Sequence, residues 1–392
     1  MNNIHKNMHE ALTLCIFFCI IKGVYAMDDK KDKYYDSSAI DALDATYNLI
    51  YGQRSNGKTW CCCRKIVDAY LDEGLPSAYV RRLEEMIRPA NLKELFSPHI
   101  DYIREKTSGA WNGIVYRTHG FYLCLYDEDG DKIMQDIKPF CRTYSINTAE
   151  TTKGQDAGAI KYVVFDEFMT RQYYLVNEFV LWQNLLSSLI RTHEGVKIYL
   201  LGNTVSKYCP YFSEMGLTRA KQQKQGTIDV YTMGNTNTLI AVEYCKQYEV
   251  SQKMQTYYCF DNPQLNMITS GAWEIPMYRH IPDGIGRLYP ELEFYIEFDG
   301  QTERGAIYII EDAPLLTFSR RYKEIKDPEE KIIFSDFRTD PNPLHQEELA
   351  PVTNAHKVII DLIRQHKTYF ATNEDGEFVA NWLKATEGGL TI

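Results

Sequence analysis

Short apolar runs alternate with longer segments of helical periodicity in the first half of the chain. Residues 47–51 form an apolar, aromatic run that stops at Gly52, a pattern typical of a strand. Apolar residues then recur at helical spacing over residues 60–71. Further strands are predicted at residues 78–80, 162–165 and 197–201, with a helix over 175–190. This alternation predicts an α/β domain with a mainly parallel central sheet and helices on both faces.

The remaining segments predict a more varied set of elements and a second domain. The pattern indicates a helical stretch over 83–106, a three-strand meander at 113–117, 120–126 and 131–135, and a polar loop over 142–159. Residues 218–228 are polar and basic, so we expect a linker between a first domain, 27–217, and a smaller α/β domain, 229–392. Strands at 237–242, 292–298, 305–311 and 331–335 and a helix over 355–365 are predicted after this linker.

Composition limits the class of protein. The 392 residues contain 43 Lys and Arg against 53 Asp and Glu, a formal charge of −10. With 44% apolar and 24% charged residues, the chain is neither disordered nor a polytopic membrane protein. The acidic balance argues against nucleic acid binding over the whole protein surface, so any nucleic-acid contact needs Lys and Arg side chains gathered on one face. Three of the ten Cys are consecutive, a poor disulfide or zinc pattern that indicates reduced thiols in a cytosolic compartment.

Residues 52–59 fit the pattern G-x-x-x-x-G-K-[ST] of a nucleotide-binding P-loop. They lie between a predicted strand and a predicted helix, which is the context the motif requires. In such a loop, backbone N–H groups surround the phosphates, the Lys reaches the β- and γ-phosphates, and the hydroxyl holds Mg²⁺. The candidate ATP-binding residues are Gly52, Gln53, Arg54, Ser55, Asn56, Gly57, Lys58 and Thr59. The alternatives are a glycine-rich turn for the whole loop and, for Arg54 alone, a solvated loop residue.

A second motif supports nucleotide hydrolysis. The predicted strand 162–165 is followed directly by Asp166 and Glu167. Asp166 is the candidate for the Mg²⁺ shell, and Glu167 is the candidate base that orients and activates water for attack on the γ-phosphate. The adjacent Glu favours ATP over GTP, and an exposed acidic turn after a core strand is the alternative interpretation.

Together with the P-loop, four further blocks of sequence occur in a characteristic order. They are AYVRR at 78–82, VFDEF at 164–168, LGNTVS at 201–206 and PYF at 210–212. In this order the chain resembles the DNA encapsidation ATPases of small, protein-primed podoviruses, a compact branch of the terminase large subunits. The resemblance is specific over about residues 40–215 and extends to the remainder only in outline.

The resemblance implies a fold, an activity and a set of partners. The fold is an ASCE-type P-loop ATPase domain followed by a smaller RNase H-like domain that has lost its nuclease activity. The implied protein is a motor subunit that hydrolyses ATP to translocate double-stranded DNA through the portal (connector) into the procapsid. It would act in a homo-oligomeric ring, a pentamer by family resemblance. A packaging RNA is a further candidate partner and a membrane is not. The implied location is the host bacterial cytoplasm, transiently at the portal vertex.

The resemblance also implies roles for two residues outside the motifs. Asn203 falls on the position that senses loss of the γ-phosphate, and its alternative is a turn residue at a strand end. Arg191 falls on an arginine finger that reaches the ATP of the neighbouring subunit, and its alternative is a cation at a helix C-terminus.

Other basic residues near predicted strand ends and in the predicted polar loop have roles that the sequence leaves open. Arg81 and Arg82 could serve DNA, the nucleotide or a subunit interface, and a solvated strand end is equally compatible with the pattern. The loop with Arg142 and Lys153 is a candidate for gripping the DNA backbone, because sequence-independent translocation needs phosphate contacts.

The first 26 residues resemble a signal peptide, with Lys6, an apolar stretch over 11–21 and a small residue at Ala26. The apolar stretch is too short for a comfortable membrane span. Because an ATP site needs cytosolic nucleotide, we expect Met27 to be the true start and residues 1–26 to be an over-extended gene prediction. A genuine signal-like segment is the alternative.

Acidic residues lie near predicted strand ends of the second domain, but their order gives no recognisable metal triad. They are Glu293, Glu297, Asp299, Glu311, Asp312 and Asp336. We therefore expect no nuclease activity. The other functions left open are a helicase-like or nucleic-acid-stimulated P-loop ATPase, a full terminase with an active nuclease, and a capsid-associated binding module with an idle P-loop.

Overall fold

The structure is a computed structural model that describes residues 19–26, 34–148, 158–170, 174–175, 177–191, 193–205, 209–248, 273, 278–285, 288–298, 300–335, 341–346 and 349–387. The chain divides into two compact units, Met1–Thr170 with Asn177–Trp273 and Arg171–Val176 with Glu274–Ile392. Five residues singled out in the sequence lie outside the described residues: Lys6, Met27, Lys153, Asp299 and Asp336.

A large, mainly parallel sheet organises the first unit. Its described strands are β1 (Cys19–Ala26), β2 (Tyr47–Gly52), β3 (Ser77–Arg81), β4 (Gly113–Arg117), β5 (Gly120–Tyr126), β6 (Lys132–Gln135), β7 (Cys141–Ser145), β8 (Tyr162–Asp166), β9 (Lys197–Asn203), β10 (Thr227–Met233) and β11 (Thr238–Tyr244). Their order is β1-β10-β11-β2-β9-β8-β3-β7-β5-β4, with β6 paired to β5. The six strands from β11 to β7 are parallel to their neighbours, and the flanking pairs are antiparallel. The predicted mainly parallel α/β sheet is confirmed.

The described helices of this unit are α1 (Ser38–Asp41), α2 (Lys58–Glu73), α3 (Pro89–Leu92), α4 (Ile100–Lys106), α5 (Glu178–Ile190) and α6 (Pro210–Glu214). The predicted periodicity after the P-loop is confirmed in α2, which buries Cys62, Cys63, Ile66 and Val67. This helix ends at Gly74, whose φ of 69° lies in the left-handed region typical of a helix C-terminus. Among the described helices, none is both long and apolar enough to cross a membrane.

Two predictions within the first unit are wrong. The stretch 83–106 is not one helix but a series of short helical turns, including α3 and α4. Pro89 is the first residue of one such turn and Pro98 the second residue of another, because proline fits the first turn of a helix and interrupts its interior. The polar segment 142–159 is not entirely a loop either. Residues 142–145 belong to β7, which pairs with β3 over its whole length, and residues 149–157 lie outside the described residues.

The predicted linker at 218–228 is also wrong. Ala220 is fully buried, and Tyr51 Oη donates to its carbonyl oxygen at 3.0 Å and to Gln223 Oε1 at 2.8 Å. The following strands, β10 and β11, extend the first sheet, with Ile240 in register with Tyr47 of β2. The polar, basic composition of the segment suggested a linker, but its hydrogen bonds tie it to the strand that precedes the P-loop. The predicted domain boundary therefore moves beyond these two strands.

The segment before Met27 contributes backbone to the same sheet. Strand β1 pairs antiparallel with β10, with Cys19 in register with Met233 and Ala26 with Thr227. Residues 1–18 lie outside the described residues. The expectation that residues 1–26 are an over-extended gene prediction stays a prediction.

The second unit is a smaller mixed α/β fold. Its described elements are β12 (Leu292–Phe298), β13 (Gln301–Ile310), β14 (Ala313–Arg320), β15 (Ile332–Ser335), β16 (His345–Gln346), β17 (Thr368–Phe370), α7 (Asn354–Arg364) and α8 (Asn373–Glu387). The sheet order is β16-β15-β12-β13-β14-β17. Strands β12, β13 and β14 are antiparallel, whereas β15, β16 and β17 pair in parallel. The strands and the helix predicted over 292–365 are confirmed, whereas the sequence did not predict β14, β16, β17 or α8. The RNase H-like assignment stays a prediction.

Candidate nucleotide site

The P-loop connects β2 to α2 through a backbone that needs its two glycines. Gly57 has a φ of 97°, in the left-handed region that favours glycine. At Gly52 a Cβ atom would lie 2.9 Å from the Cβ of Cys245, so a side chain would clash with the segment after β11. Ser55, between them, also has a positive φ of 57°. The loop is therefore held in a curved conformation of the kind that surrounds phosphate oxygens.

The ammonium group of Lys58 lies among oxygen acceptors. Lys58 is only 6% exposed, and its Nζ donates to the carbonyl oxygen of Gln53 at 2.7 Å and to Asn56 Oδ1 at 3.0 Å. A longer bond of 3.4 Å reaches Asn203 Oδ1 at the end of β9. Burial lowers the pKa of Lys58, while the nearby carboxylate of Asp166 opposes this shift. These acceptors bind the protonated amine and therefore favour its charged form.

Asp166 ends β8 and faces the first turn of α2. Its Oδ2 accepts hydrogen bonds from Thr59 Oγ1 at 3.0 Å and from Tyr79 Oη at 2.7 Å. Its Oδ1 accepts from the backbone N–H of Glu167 at 3.0 Å. Tyr79 is fully buried on the neighbouring strand β3, so its hydroxyl fixes the orientation of the carboxylate. The Thr59 hydroxyl and the Asp166 carboxylate offer the hard oxygen ligands that Mg²⁺ prefers.

Glu167 lies one residue beyond β8 in a strained turn. Its φ is 62°, which is uncommon for a residue with a side chain and is typical of functional sites. The side chain is 49% exposed, and Arg81 Nη2 donates to its Oε2 at 2.5 Å. Arg81 Nη1 also lies 3.7 Å from Asp166 Oδ2. The end of β3 thus supplies a cation that contacts both acidic side chains.

A cavity of about 450 Å³ brings most of the predicted residues together over the P-loop and the ends of β8 and β9. Its volume is within the usual range of about 300–1,000 Å³ for small-molecule sites. The predicted residues that line it are Arg54, Ser55, Asn56, Gly57, Lys58, Thr59, Asp166, Glu167 and Asn203. Trp60, Leu201 and Gly202 complete the lining.

Three predicted residues lie outside this lining. Gly52 and Gln53 begin the P-loop but do not line the cavity. Gln53 Oε1 accepts a hydrogen bond from the backbone N–H of Tyr248 at 3.1 Å. Arg191 is exposed at the residue after α5, where its φ is 40°. Among the described residues that line the cavity of its own chain, Arg191 is absent.

The residues of the cavity fit a magnesium nucleotide. Asn56 is 3% exposed, and its Nδ2 atom faces the Cys245 thiol and has no oxygen acceptor among the described residues. A buried amide N–H without an acceptor is costly, so a ligand oxygen there would satisfy it. The P-loop backbone, the Lys58 ammonium and the Thr59–Asp166 oxygen pair match the needs of phosphates and Mg²⁺ respectively.

The sequence did not single out the buried residues that contact the site residues without lining the cavity. Tyr79 belongs to an apolar run and was assigned only to a strand, so no pattern distinguished its hydroxyl from a core side chain. Tyr35 Oη donates to Glu243 Oε2 at 2.8 Å, and the Tyr35 backbone N–H donates to the carbonyl oxygen of Asn56 at 2.8 Å. Glu243 is fully buried on β11, and burial raises its pKa to about 8. Its place next to the P-loop follows from the pairing of β11 with β2, which sequence alone did not predict.

The sheet order and the site together define a class. Strand β9 lies between the P-loop strand β2 and the acidic strand β8, the arrangement of an ASCE-type P-loop ATPase fold. The predicted P-loop ATPase fold is confirmed by solved structures. The Phi-28 gp11 DNA packaging motor has a TM-score of 0.51 at 17% identity, covering 90% of this chain and 98% of that one. The bacteriophage Phi-29 viral genome packaging motor assembly has a TM-score of 0.50 at 16% identity, covering 87% of this chain and 96% of that one.

Similar sequences are found among curated proteins. The chain is 23% identical over 185 residues to the DNA packaging protein of Bacillus phage phi29 and, equally, to that of Bacillus phage PZA. The match covers 46% of this chain and 50% of each relative, so the chain spans about half the length of the curated relatives it matches. No protein-family model matches the chain.

Proposed function

We propose that this chain is an ATPase motor subunit that drives double-stranded viral DNA into a procapsid. The observation that carries the proposal is the assembly of Lys58, Thr59, Asp166, Glu167 and Asn203 around one cavity of nucleotide size. The likeness to solved packaging motors, which extends over 90% of the chain in one case, supports DNA as the polymer that is moved.

Nucleotide binding is assigned to the P-loop and its neighbours. Lys58 would exchange its contacts with Asn56 and Asn203 for phosphate oxygens, and the P-loop N–H groups would surround the same phosphates. Thr59 and Asp166 would hold Mg²⁺, which neutralises phosphate charge when it is bound. Because Asn203 shares Lys58 with the phosphates, loss of the γ-phosphate would return Lys58 to Asn203. This exchange supports the assignment of Asn203 as the sensing residue.

Hydrolysis is assigned to Glu167 as the base that orients and activates water. In the described geometry the Glu167 carboxylate is paired with Arg81, and a paired carboxylate is a poorer acceptor for a water proton. Glu167 must therefore leave Arg81 before it can act. The Glu167 side chain is 49% exposed, so water screens its end of the pair and nucleotide binding can break the contact, even though the Arg81 side chain is only 16% exposed.

Arg191 is assigned to a neighbouring subunit. It is exposed at the end of α5, outside the cavity of its own chain, which suits a cation that acts across an interface. A cation placed on the transition-state phosphate can increase the rate by about 10³–10⁵. The proposed assembly is a homo-oligomeric ring, a pentamer by resemblance, that docks on the portal of a procapsid in the host bacterial cytoplasm. A packaging RNA is a further candidate partner.

The second unit is assigned a docking role without nuclease activity. Glu293 is bound by Arg304, whose Nε lies 2.9 Å from Glu293 Oε1. Glu311 and Asp312 both have positive φ in the tight turn between β13 and β14. The pairing of Glu293 with Arg304 and the turn position of Glu311 and Asp312 support a degenerate nuclease-like domain.

Two substitutions separate binding from hydrolysis. Lys58→Ala removes the principal phosphate contact and is expected to abolish ATP binding. Glu167→Gln keeps a side chain of the same size and is expected to bind ATP but to hydrolyse it about 10²–10⁴-fold more slowly. Binding is measured with a fluorescent ATP analogue and turnover by phosphate release, with the exposed residues Lys93→Ala and Glu128→Gln as matched controls. Wild-type turnover in Glu167→Gln would overturn the base assignment.

A further inference from the structure

One buried cation next to the candidate base has no part in the proposed binding or hydrolysis steps. Arg82 follows β3, where the sequence left open a solvated strand end, yet it is only 4% exposed. A guanidinium removed from water is stable only if its charge and its N–H groups are matched. The partners of Arg82 therefore indicate why a charged residue is buried at this position.

The Arg82 guanidinium joins two structural elements. Its Nη1 and Nη2 donate to the carbonyl oxygens of Glu167 at 3.2 Å and Phe168 at 2.7 Å. Its Nε donates to Glu178 Oε2 at 2.8 Å, and Tyr211 Oη donates to Glu178 Oε1 at 2.9 Å. Glu178 is 2% exposed and Tyr211 is fully buried. The planar fork of an arginine suits this set of fixed oxygen acceptors, whereas a lysine offers a single point charge.

We infer that Arg82 is a positioning residue that fixes the backbone turn on which Glu167 is mounted. This inference rests on the proposed role of Glu167 as the base. The turn needs support because Glu167 adopts a φ of 62°, a conformation that is strained for residues with side chains. Arg82 binds the carbonyl oxygens of Glu167 and of the next residue, so it restrains the peptide planes that follow the Glu167 Cα. Glu178 and Tyr211 in turn hold the guanidinium in place.

The same contacts connect the turn to two other functional elements. Glu178 is the first residue of α5, and Arg191 directly follows the last residue of that helix. Tyr211 lies on α6, which follows the strand that ends in Asn203. The carboxylate at the N-terminus of α5 is also favoured by the helix dipole. The Arg82–Glu178 pair thus lies between the base and the helix that leads to the candidate finger.

The test separates positioning from folding by comparing rate with affinity. In Arg82→Lys the charge remains but the fork is lost, so kcat is expected to fall about 10–100-fold because small misplacements of a catalytic group have effects of this size. Half-saturating ATP is expected to stay within about twofold, because the P-loop makes no contact with Arg82 among the bonds described. Tyr211→Phe removes a single hydroxyl and is expected to reduce kcat about two- to tenfold. Arg304→Lys, at the ion pair with Glu293, is the matched control and should leave kcat unchanged.

Hydrogen exchange gives a readout that does not depend on hydrolysis. In Arg82→Lys, the amides of residues 166–169 are expected to exchange at least tenfold faster than in the wild type, while residues 52–59 keep their wild-type rates. Unchanged exchange at 166–169, or equally faster exchange throughout the first unit, would overturn the positioning role. Failure of the proposed function would appear differently, as equal ATP turnover in the wild type and Lys58→Ala. The exchange experiment tests the role of Arg82 whether or not the chain hydrolyses ATP.

Discussion

The buried hydroxyl of Tyr79 makes the metal site testable through a single atom. Tyr79→Phe removes the 2.7 Å hydrogen bond to Asp166 Oδ2 and leaves the ring in place. A hydrogen bond to a charged group contributes about 1.5–3 kcal/mol, and loss of such an outer partner typically weakens metal binding about 10–100-fold. Because Thr59 and Arg81 remain at 3.0 and 3.7 Å from the same oxygen, we expect the lower end of this range.

The assay is steady-state ATP hydrolysis as a function of Mg²⁺ concentration at saturating ATP. Half-activation by Mg²⁺ is expected to shift upward about tenfold in Tyr79→Phe, with the rate at saturating Mg²⁺ largely retained. Tyr199→Phe is the matched control, because Tyr199 Oη donates to Asp41 Oδ1 at the same distance of 2.7 Å, away from the cavity lining. An unshifted Mg²⁺ curve in Tyr79→Phe, or an equal shift in Tyr199→Phe, would refute the assignment of Asp166 to the metal.

Three further predictions concern the finger, the buried carboxyl and the second unit. Arg191→Ala should bind ATP but hydrolyse it slowly, and mixing it with Glu167→Gln should restore hydrolysis above the sum of the two alone; no restoration despite co-assembly would rule out action between subunits. Burial raises the pKa of Glu243 to about 8 in the folded chain, against about 4.3 when unfolded. The folded state therefore binds the Glu243 proton more tightly, and the stability that this proton contributes is complete below about pH 4.3 and is lost as the pH rises to about 8. Glu243→Gln should therefore gain stability relative to the wild type by about 1.4 kcal/mol per pH unit across this window, measured by thermal unfolding at pH 5.5 and 7.5, and a constant difference would contradict it. The whole chain should not nick plasmid DNA with Mg²⁺ or Mn²⁺, and nicking that Asp299→Ala or Asp336→Ala abolishes would show an active nuclease.

The elements that sequence predicted well are those dictated by local chemistry. The P-loop needs glycines at two backbone positions, and strands β8 and β9 are continuous apolar runs because parallel strands are buried on both faces. Each of these signals is contained within a single stretch of a few consecutive residues. Lys58 meets Asn203 because the carboxyl ends of parallel strands share one edge of the sheet, whereas the sequence pointed to Asn203 only through the family resemblance.

What sequence did not predict depends on contacts between distant segments. The 218–228 segment is polar, and only the hydrogen bonds of Tyr51 to Ala220 and Gln223 show that it is packed. Arg82 is indistinguishable from its neighbour Arg81 in the sequence, yet one is buried against backbone oxygens and the other pairs with the exposed base. Such differences arise from tertiary packing, which has no periodic signature along the chain.

The most direct measurement is protection of double-stranded DNA from an added nuclease in the presence of portal-bearing procapsids. With the wild-type chain and ATP, we expect DNA to become protected and ATP hydrolysis to rise when DNA and procapsids are both present. Glu167→Gln, which should still bind ATP, is expected to give no protection. ATP hydrolysis that is indifferent to DNA and procapsids, with no protected DNA, would contradict a packaging motor and leave an ATPase of another kind.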